Sequence, residues 1–389
     1  MESKNTAKAI LPILFGYFIM GFCDIVGISS DYVQRSFGWS PTMTGFVPSM
    51  VFVWFLFLGI PVGNWMNRWG RKNTVLTSMA VTVVGMAMPL VAYNGATCMA
   101  AYALLGIGNT ILQVSLNPLL GNVVACKALT SSLTAGQVIK AASALAGPEI
   151  VLLSVHHWGE GRWYYCFPLL GGITLVSAMW LAATPISRED SALQGSDISV
   201  AGTLALLKDR TILLLFLGIF FIVGIDVATN FISSKLMAAR FGWTAEQTKF
   251  APQVYFLSRT VGAFVGTFML ARMAESRYFR ANIVACAAAL VALMAVHDQI
   301  VNLVCIGAVG FFGSSVFSII YSMALQRRPD KANQISGLMI TAIAGGAVVT
   351  PVIGLATGTV GITGGVVVVL VCVAYLTYCA YSVKVQQEK

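Results

Sequence analysis

The chain has 389 residues, of which 57% are hydrophobic and 10% charged. An average soluble domain carries roughly 25% charged residues, so a surface this apolar excludes water as the sole solvent and calls for lipid. The net charge of +9 would suit nucleic acid, but the basic residues fall in short groups between apolar runs, which fits membrane topology better than a phosphate-binding face. Eight cysteines are scattered with no CxxC pair, so no disulfide framework, metal site or cofactor is expected.

A spanning helix needs about 20 mostly apolar residues. Twelve such runs follow in order, at 9–31, 43–66, 74–93, 97–121, 132–154, 164–184, 211–233, 248–271, 279–296, 299–325, 334–356 and 360–383 (spans 1 to 12). The segment MESKNTAKAI before span 1 carries two lysines, and no small-residue cleavage site follows; span 1 reads as a retained helix, not a signal peptide. The longest polar interval, 185–210, separates an N-terminal six-helix half (1–184) from a C-terminal one (211–389). The predicted fold class is an all-α polytopic membrane protein with twelve transmembrane helices in two pseudo-symmetric halves.

Basic residues set the orientation, because cytoplasmic segments hold the excess of Lys and Arg. With a cytoplasmic N-terminus, the inner segments hold Lys4, Lys8, Arg68, Arg71, Lys72, Lys127, Arg188, Lys208, Arg210, Arg272, Arg277, Arg280, Arg327, Arg328, Lys331, Lys384 and Lys389. The outer segments hold only Arg35, Arg162, Lys235, Arg240 and Lys249. Both termini and the central loop 185–210 are therefore predicted to be cytoplasmic.

The halves repeat. Span 1 and its outer loop read GYFIMGFCDIVGISSDYVQRSFGWSP; span 7 reads GIFFIVGIDVATNFISSKLMAARFGWTA. Asp24 follows Gly16 at the same spacing as Asp226 follows Gly218, and each segment closes on FGW with Ser or Thr next. Two matched six-helix halves that handle a solute near the bilayer midplane form the architecture of alternating-access carriers.

The segment GNWMNRWGRK (63–72) resembles the loop signature of the major facilitator superfamily. Its carriers are Gly63, Asn67, Arg68, Gly70, Arg71 and Lys72, with Asn67 where Asp is commoner. Physically it makes a tight turn at Gly70, whose flanking cations can dock on facing helix ends. Four further segments, GIGNTILQVSLNPLL (106–120), LTAGQVIKAASALAGP (133–148), GFFGSSVFSIIYSMAL (310–325) and SGLMITAIAGGAVVTPVIG (336–354), are similar to the fucose/glucose/galactose–proton symporter family. That resemblance implies a proton-coupled, or sodium-coupled, monosaccharide importer acting as a monomer in the bilayer. It places Asp24 at the acidic residue of the first helix. The departures are Gln113, where the fucose member carries an acid tied to proton movement, Lys140, where a sugar-binding amide is usual, and Gly313 and Ser318, where Asn and Pro are common.

Charged residues at the bilayer centre cost about 2.5–3.5 kcal/mol each on insertion scales and usually face a partner or a wet cavity. Asp24, Lys140, Asp226 and Arg259 are such residues. Asp24 is the candidate ion carrier, since alternating exposure changes both the hydration and the charged neighbours of a carboxylate; the bland alternative is a structural pair within its own half. Lys140 is either a switchable partner of Asp24, a receptor for an acidic solute, or an inert lysine snorkelling from a helix end about 12 Å away. Asp226 and Arg259 are expected to form a structural ion pair. Glu149 sits near the outer end of span 5, within reach of water.

Asn109, Gln113 and Asn117 recur at i, i+4 and i+8 and share one helical face of span 4. Such amides serve as helix–helix glue or, with Gln137, Trp54, Phe55 and Tyr255, as a sugar site in which amides bond hydroxyls and rings cover C–H faces. Breaks are expected at Asn117–Pro118 and at Gly345–Gly346 with Pro351. The leading reading is a sugar symporter for a neutral hexose or deoxyhexose. The alternatives are an importer of a sialic or uronic acid recognised through Lys140, and an exporter of drugs or metabolites. No HExxH, GxSxG or P-loop occurs, the histidines are His156, His157 and His297, and the short loops leave no catalytic domain; an enzyme is not expected.

Overall fold

The computed structural model describes residues 2–39, 47, 50–186, 199–244, 247 and 250–383. Arg188, Lys249, Lys384 and Lys389 of the charge pattern, Ser40 after the first FGW, and most of the central loop lie outside them. Among the described residues there is no strand. Among the same residues eleven helices are long and apolar enough to cross a bilayer, and a shorter apolar helix, Ala9–Ile25, makes the twelfth.

Span 1 runs Glu2–Met20, tightens to a 3₁₀ turn over Gly21–Ile25, and resumes as Val26–Phe37. Spans 2, 3 and 4 are Trp54–Trp69, Arg71–Val91 and Gly95–Gly121, and spans 5 and 6 are Cys126–Trp158 and Cys166–Ala183. Spans 7, 8 and 9 are Arg210–Phe241, Phe250–Arg272 and Glu275–Ala295. Span 10 is split into Gln299–Gly313 and Val316–Arg327. Span 11 is split into Ala332–Thr341 and Gly345–Val360 around a 3₁₀ turn, Ala342–Ala344, and span 12 is Ile362–Ser382.

The internal repeat is written in the helix ends. Gly38 and Gly242, the glycines of the two FGW segments, both cap their helices in the left-handed region (φ 63° and 66°) and donate their N–H groups to Gln34 O and Ala238 O. Glycine reaches that conformation without the Cβ penalty.

Contacts group the chain into two compact units. The first comprises Met1–Cys126, Gly136–Leu204 and Asp330–Thr341; the second comprises Lys127–Ala135, Ala205–Pro329 and Ala342–Lys389. In the first, span 3 packs on spans 4 and 6, and Ala332–Thr341 packs on span 2. Asn333 donates to Asn67 Oδ1 at 2.8 Å and accepts from Arg71 Nε at 2.7 Å.

Pro118 does not break span 4, contrary to the sequence expectation: the helix is continuous to Gly121. A proline has no N–H for the carbonyl four residues back, which here is that of Val114. The Ser336 hydroxyl donates to Val114 O at 2.5 Å and fills that vacancy. Span 11 does break, one turn before Gly345–Gly346, while Pro351 sits inside the following helix.

In the second unit, span 7 packs on span 12 and on Gly345–Val360. Arg240 near its end donates to Asn302 Oδ1 at 2.8 Å, and Asn302 in turn donates to Val296 O and Asp298 O. Thr130 bonds both Glu275 Oε2 (2.5 Å) and Ser322 Oγ (2.7 Å).

Candidate functional site

The polar residues of the first unit gather where spans 1, 4 and 5 meet. Close approach of spans 1 and 5 depends on glycine. A Cβ on Gly21 would lie 2.6 Å from Lys140 O and 2.8 Å from Ser143 Oγ, and one on Gly136 would lie 2.7 Å from the Tyr17 ring. Span 4 crosses the same stretch. The Tyr17 hydroxyl donates to Asn117 Oδ1 at 2.7 Å, and Asn109 Nδ2 donates to Cys23 Sγ at 2.9 Å.

The three amides of span 4 are all buried, but they are used differently. Asn117 accepts from Tyr17 and donates to Gln113 O at 2.9 Å. Asn109 spends its NH₂ group on Cys23, while its Oδ1 is buried with no partner among the described residues. Between them Gln113, 6% exposed, gives only its backbone carbonyl to Asn117; among the described residues its side-chain amide has no protein bond. Gln137 and Lys140, one helical turn apart on span 5, are both half-buried.

Asp24 lies in the 3₁₀ turn of span 1, and of the residues Gly21–Val26 it alone is exposed. Its carboxylate is approached by the Cys23 thiol at 3.6 Å. Among the described residues no ion pair within 4.0 Å joins Asp24 to Lys140. A 3₁₀ stretch in mid-helix often marks a functional hinge, and this one coincides with the carboxylate.

Lys140 sits deeper than the sequence suggests. Its helix begins at Cys126, six residues before the predicted start, which places Lys140 about 21 Å along the axis at roughly 1.5 Å per residue. The stem of a lysine does not bridge that distance to the end of the helix.

The repeat-related Asp226 has a different setting in the second unit. Span 7 is unbroken there. Asp226 Oδ1 receives Arg259 Nε at 3.0 Å and the Tyr255 hydroxyl at 2.6 Å. Tyr255, 2% exposed, thus commits its hydroxyl to that carboxylate. Trp54 and Phe55 belong to the first unit; Phe55 is buried, and the Trp54 indole N–H has no partner among the described residues.

The loop motif closes tightly. Gly70 takes φ +81° between spans 2 and 3, a backbone that side chains with a Cβ rarely adopt. The cations beside it dock on helix ends. Arg71 Nη1 donates to Pro118 O (3.1 Å) and to Asn122 Oδ1, and Lys72 Nζ donates to Ala182 O and Thr184 O at 2.9 and 2.8 Å. The Lys72 ammonium therefore satisfies carbonyls at the C-terminus of span 6, where cations are favoured.

Sequence reasoning passed over Tyr17, Cys23 and Ser143. A signal for Tyr17 existed: Tyr17, Gly21 and Asp24 fall at i, i+4 and i+7, one helical face.

Residues 12–380 match the family described as Major Facilitator Superfamily. A protein of Brucella abortus (strain 9-941) named a glucose/galactose transporter is 23% identical, over 97% of this chain and 94% of its own. A putative glucose/galactose transporter of Helicobacter pylori (strain 26695) is 22% identical over the full length of both. Among solved structures, the fucose:proton symporter of E. coli superposes with a TM-score of 0.84 at 17% identity, covering 96% of this chain and 97% of that one. The proton:xylose symporter bound to 6-bromo-6-deoxy-D-glucose gives 0.76 at 12% identity, covering 98% and 95%.

Proposed function

The chain belongs to the Major Facilitator Superfamily, and on that footing we propose that it imports a monosaccharide, a neutral hexose or deoxyhexose, by proton symport with Asp24 as the coupling carboxylate. The observation that carries the coupling role is the asymmetry between two repeat-related acids. Asp226 is tied to Arg259 and Tyr255; Asp24 is exposed at a helix break with a thiol as its recorded partner. A carboxylate bound to a cation has little freedom to exchange protons, whereas one in a changing environment can load and release them.

In this reading Gln113, Asn117 and Gln137 bond sugar hydroxyls. Gln113 is the strongest of the three, because its amide is not spent on the protein. Asn109, engaged by Cys23, acts at the margin of the site, while Tyr255 commits its hydroxyl to Asp226 within the second unit. The names of the Brucella and Helicobacter relatives and of the fucose and xylose symporters support a sugar as the substrate class. The working form is a monomer in a bacterial inner membrane with both termini cytoplasmic, in keeping with the Lys and Arg pattern.

A second reading is favoured by Lys140, an ammonium midway along its helix with no carboxylate within ion-pair distance among the described residues. A carboxylated sugar would supply that counter-charge. The test is uptake into proteoliposomes of D-galactose, L-fucose, D-glucuronate and N-acetylneuraminate, with and without an inward proton gradient. Gradient-driven accumulation of a neutral sugar is expected. Uptake confined to the acids would establish the second reading, and no uptake of any of the four would overturn both.

A further inference from the structure

The break in span 1 holds a chain of three side chains that the coupling role of Asp24 does not by itself require. Asn109 is 3% exposed and donates Nδ2 to Cys23 Sγ at 2.9 Å; Cys23 is 2% exposed, and its Sγ lies 3.4 Å from Met20 O and 3.6 Å from Asp24 Oδ1. A thiol has one proton to give and a weak acceptor sulfur. With the amide of Asn109 donating to the sulfur, the S–H is directed to the other side, where two oxygens compete for it: a backbone carbonyl one turn back and the carboxylate next door.

We infer that Cys23, held by Asn109, is a positioning residue for Asp24, its S–H turning to the carboxylate when Asp24 is ionised and to Met20 O when it is not. The inference rests on Asp24 being the coupling group. The 3₁₀ winding matters because it leaves Asp24 as the exposed member of a buried turn, so the buried thiol is the contact that ties the carboxylate to the protein interior.

The other groups facing this turn are few. Span 5 supplies Lys140, whose backbone carbonyl meets Gly21, and Ser143 beside it. Span 4 supplies Asn109 and, two turns on, Asn117, which is bonded to Tyr17. Further along span 1, Arg35 lies over the Tyr32 ring, 5.6 Å from its centroid. Lys140 is thus the charged group that the neighbouring spans bring to the turn among the described residues, and it stays in place when Cys23 is changed.

A hydrogen bond to an ionised carboxylate favours the ionised form. Removing the thiol therefore makes protonation easier and extends proton-coupled uptake to higher pH. The experiment measures the pH at which downhill D-galactose uptake into proteoliposomes falls to half, for the intact protein and for Cys23→Ala, Cys23→Ser, Asn109→Leu and Asp24→Asn. The inference expects Cys23→Ala to move that half-point up by about 0.5 unit, the order of one weak hydrogen bond. Cys23→Ser, which keeps a donor, should restore it, and Asn109→Leu should move it in the same direction as Cys23→Ala. An unchanged half-point in Cys23→Ala, with Asp24→Asn losing its pH dependence, would overturn the inference and leave Asp24 as the coupling group. An Asp24→Asn protein with the unaltered pH profile would overturn both. An equal shift in Cys23→Ser and Cys23→Ala would also overturn it, since the donor would then play no part.

Discussion

The Tyr17 hydroxyl donates to Asn117 Oδ1 at 2.7 Å, joining two buried residues 100 positions apart. The bond does two things. It fixes span 1 against span 4 beside the face that carries Gln113, and it occupies the oxygen of one candidate sugar-binding amide. Interhelical hydrogen bonds of this kind contribute on average about 0.6 kcal/mol in membrane proteins, with a maximum near 1.7. Tyr17→Phe should therefore lower thermal stability in detergent by about 1 kcal/mol or less. The same change should alter KM for the transported sugar less than Gln113→Ala does, as measured by initial rates of uptake.

The Ser336–Val114 bond lends itself to a cycle of substitutions. Ser336→Ala leaves a buried carbonyl without a donor, a loss of about 1–2 kcal/mol. Pro118→Ala returns an N–H to the same helix and supplies that carbonyl from within. The double variant Ser336→Ala/Pro118→Ala should recover most of the stability lost by Ser336→Ala alone, read from thermal unfolding of the purified proteins. Additive losses would show that Ser336 acts through some other contact.

The two repeat-related aspartates should separate in a stability assay. Asp226→Asn removes the negative charge shared by Arg259 and Tyr255 and should cost about 1–3 kcal/mol, since the guanidinium and the buried hydroxyl both lose that carboxylate. Asp24→Asn breaks no ion pair and should unfold within about 0.5 kcal/mol of the intact protein, the usual range for a substitution away from a charged network. Unfolding temperatures of the two variants, compared side by side in one detergent, check this.

Lys140→Gln distinguishes charge from shape at mid-depth of span 5. If the ammonium only tunes Asp24, the variant transports the same neutral sugars with a shifted pH preference. If it receives a carboxylate, uptake of D-glucuronate or N-acetylneuraminate falls by tenfold or more, as expected when a buried charge partner is removed. A variant with unaltered substrate range and pH profile would leave Lys140 without a role in either.

Much of this was legible in the sequence, and the exceptions have physical causes. Hydropathy located the twelve spans because lipid demands long apolar helices whose backbone groups are satisfied internally. The FGW repeat identified two helix ends that share a left-handed glycine cap. The positive φ of Gly70 and the docking of Arg71 and Lys72 on helix ends followed from a short polar motif between two spans. Other features depend on who lies opposite, which one chain read along its length does not disclose. Pro118 looked like a helix breaker because the donor that replaces its missing N–H, Ser336, is more than two hundred residues away. The amide face of span 4 was visible as a spacing, yet its partners Tyr17 and Cys23 were hidden among apolar neighbours. Lys140 seemed closer to a helix end because Lys127 and the Thr and Ser residues after it interrupt the apolar run without interrupting the helix.

The central claim is that Asp24 couples sugar movement to protons while the amides of spans 4 and 5 hold the sugar. The measurement that tests it most directly compares two modes of transport by Asp24→Asn in proteoliposomes: accumulation driven by an inward proton gradient, and exchange of labelled for unlabelled sugar without a gradient. The account predicts that accumulation is lost, at least tenfold, while exchange continues near the rate of the intact protein. Full gradient-driven accumulation by Asp24→Asn would contradict it.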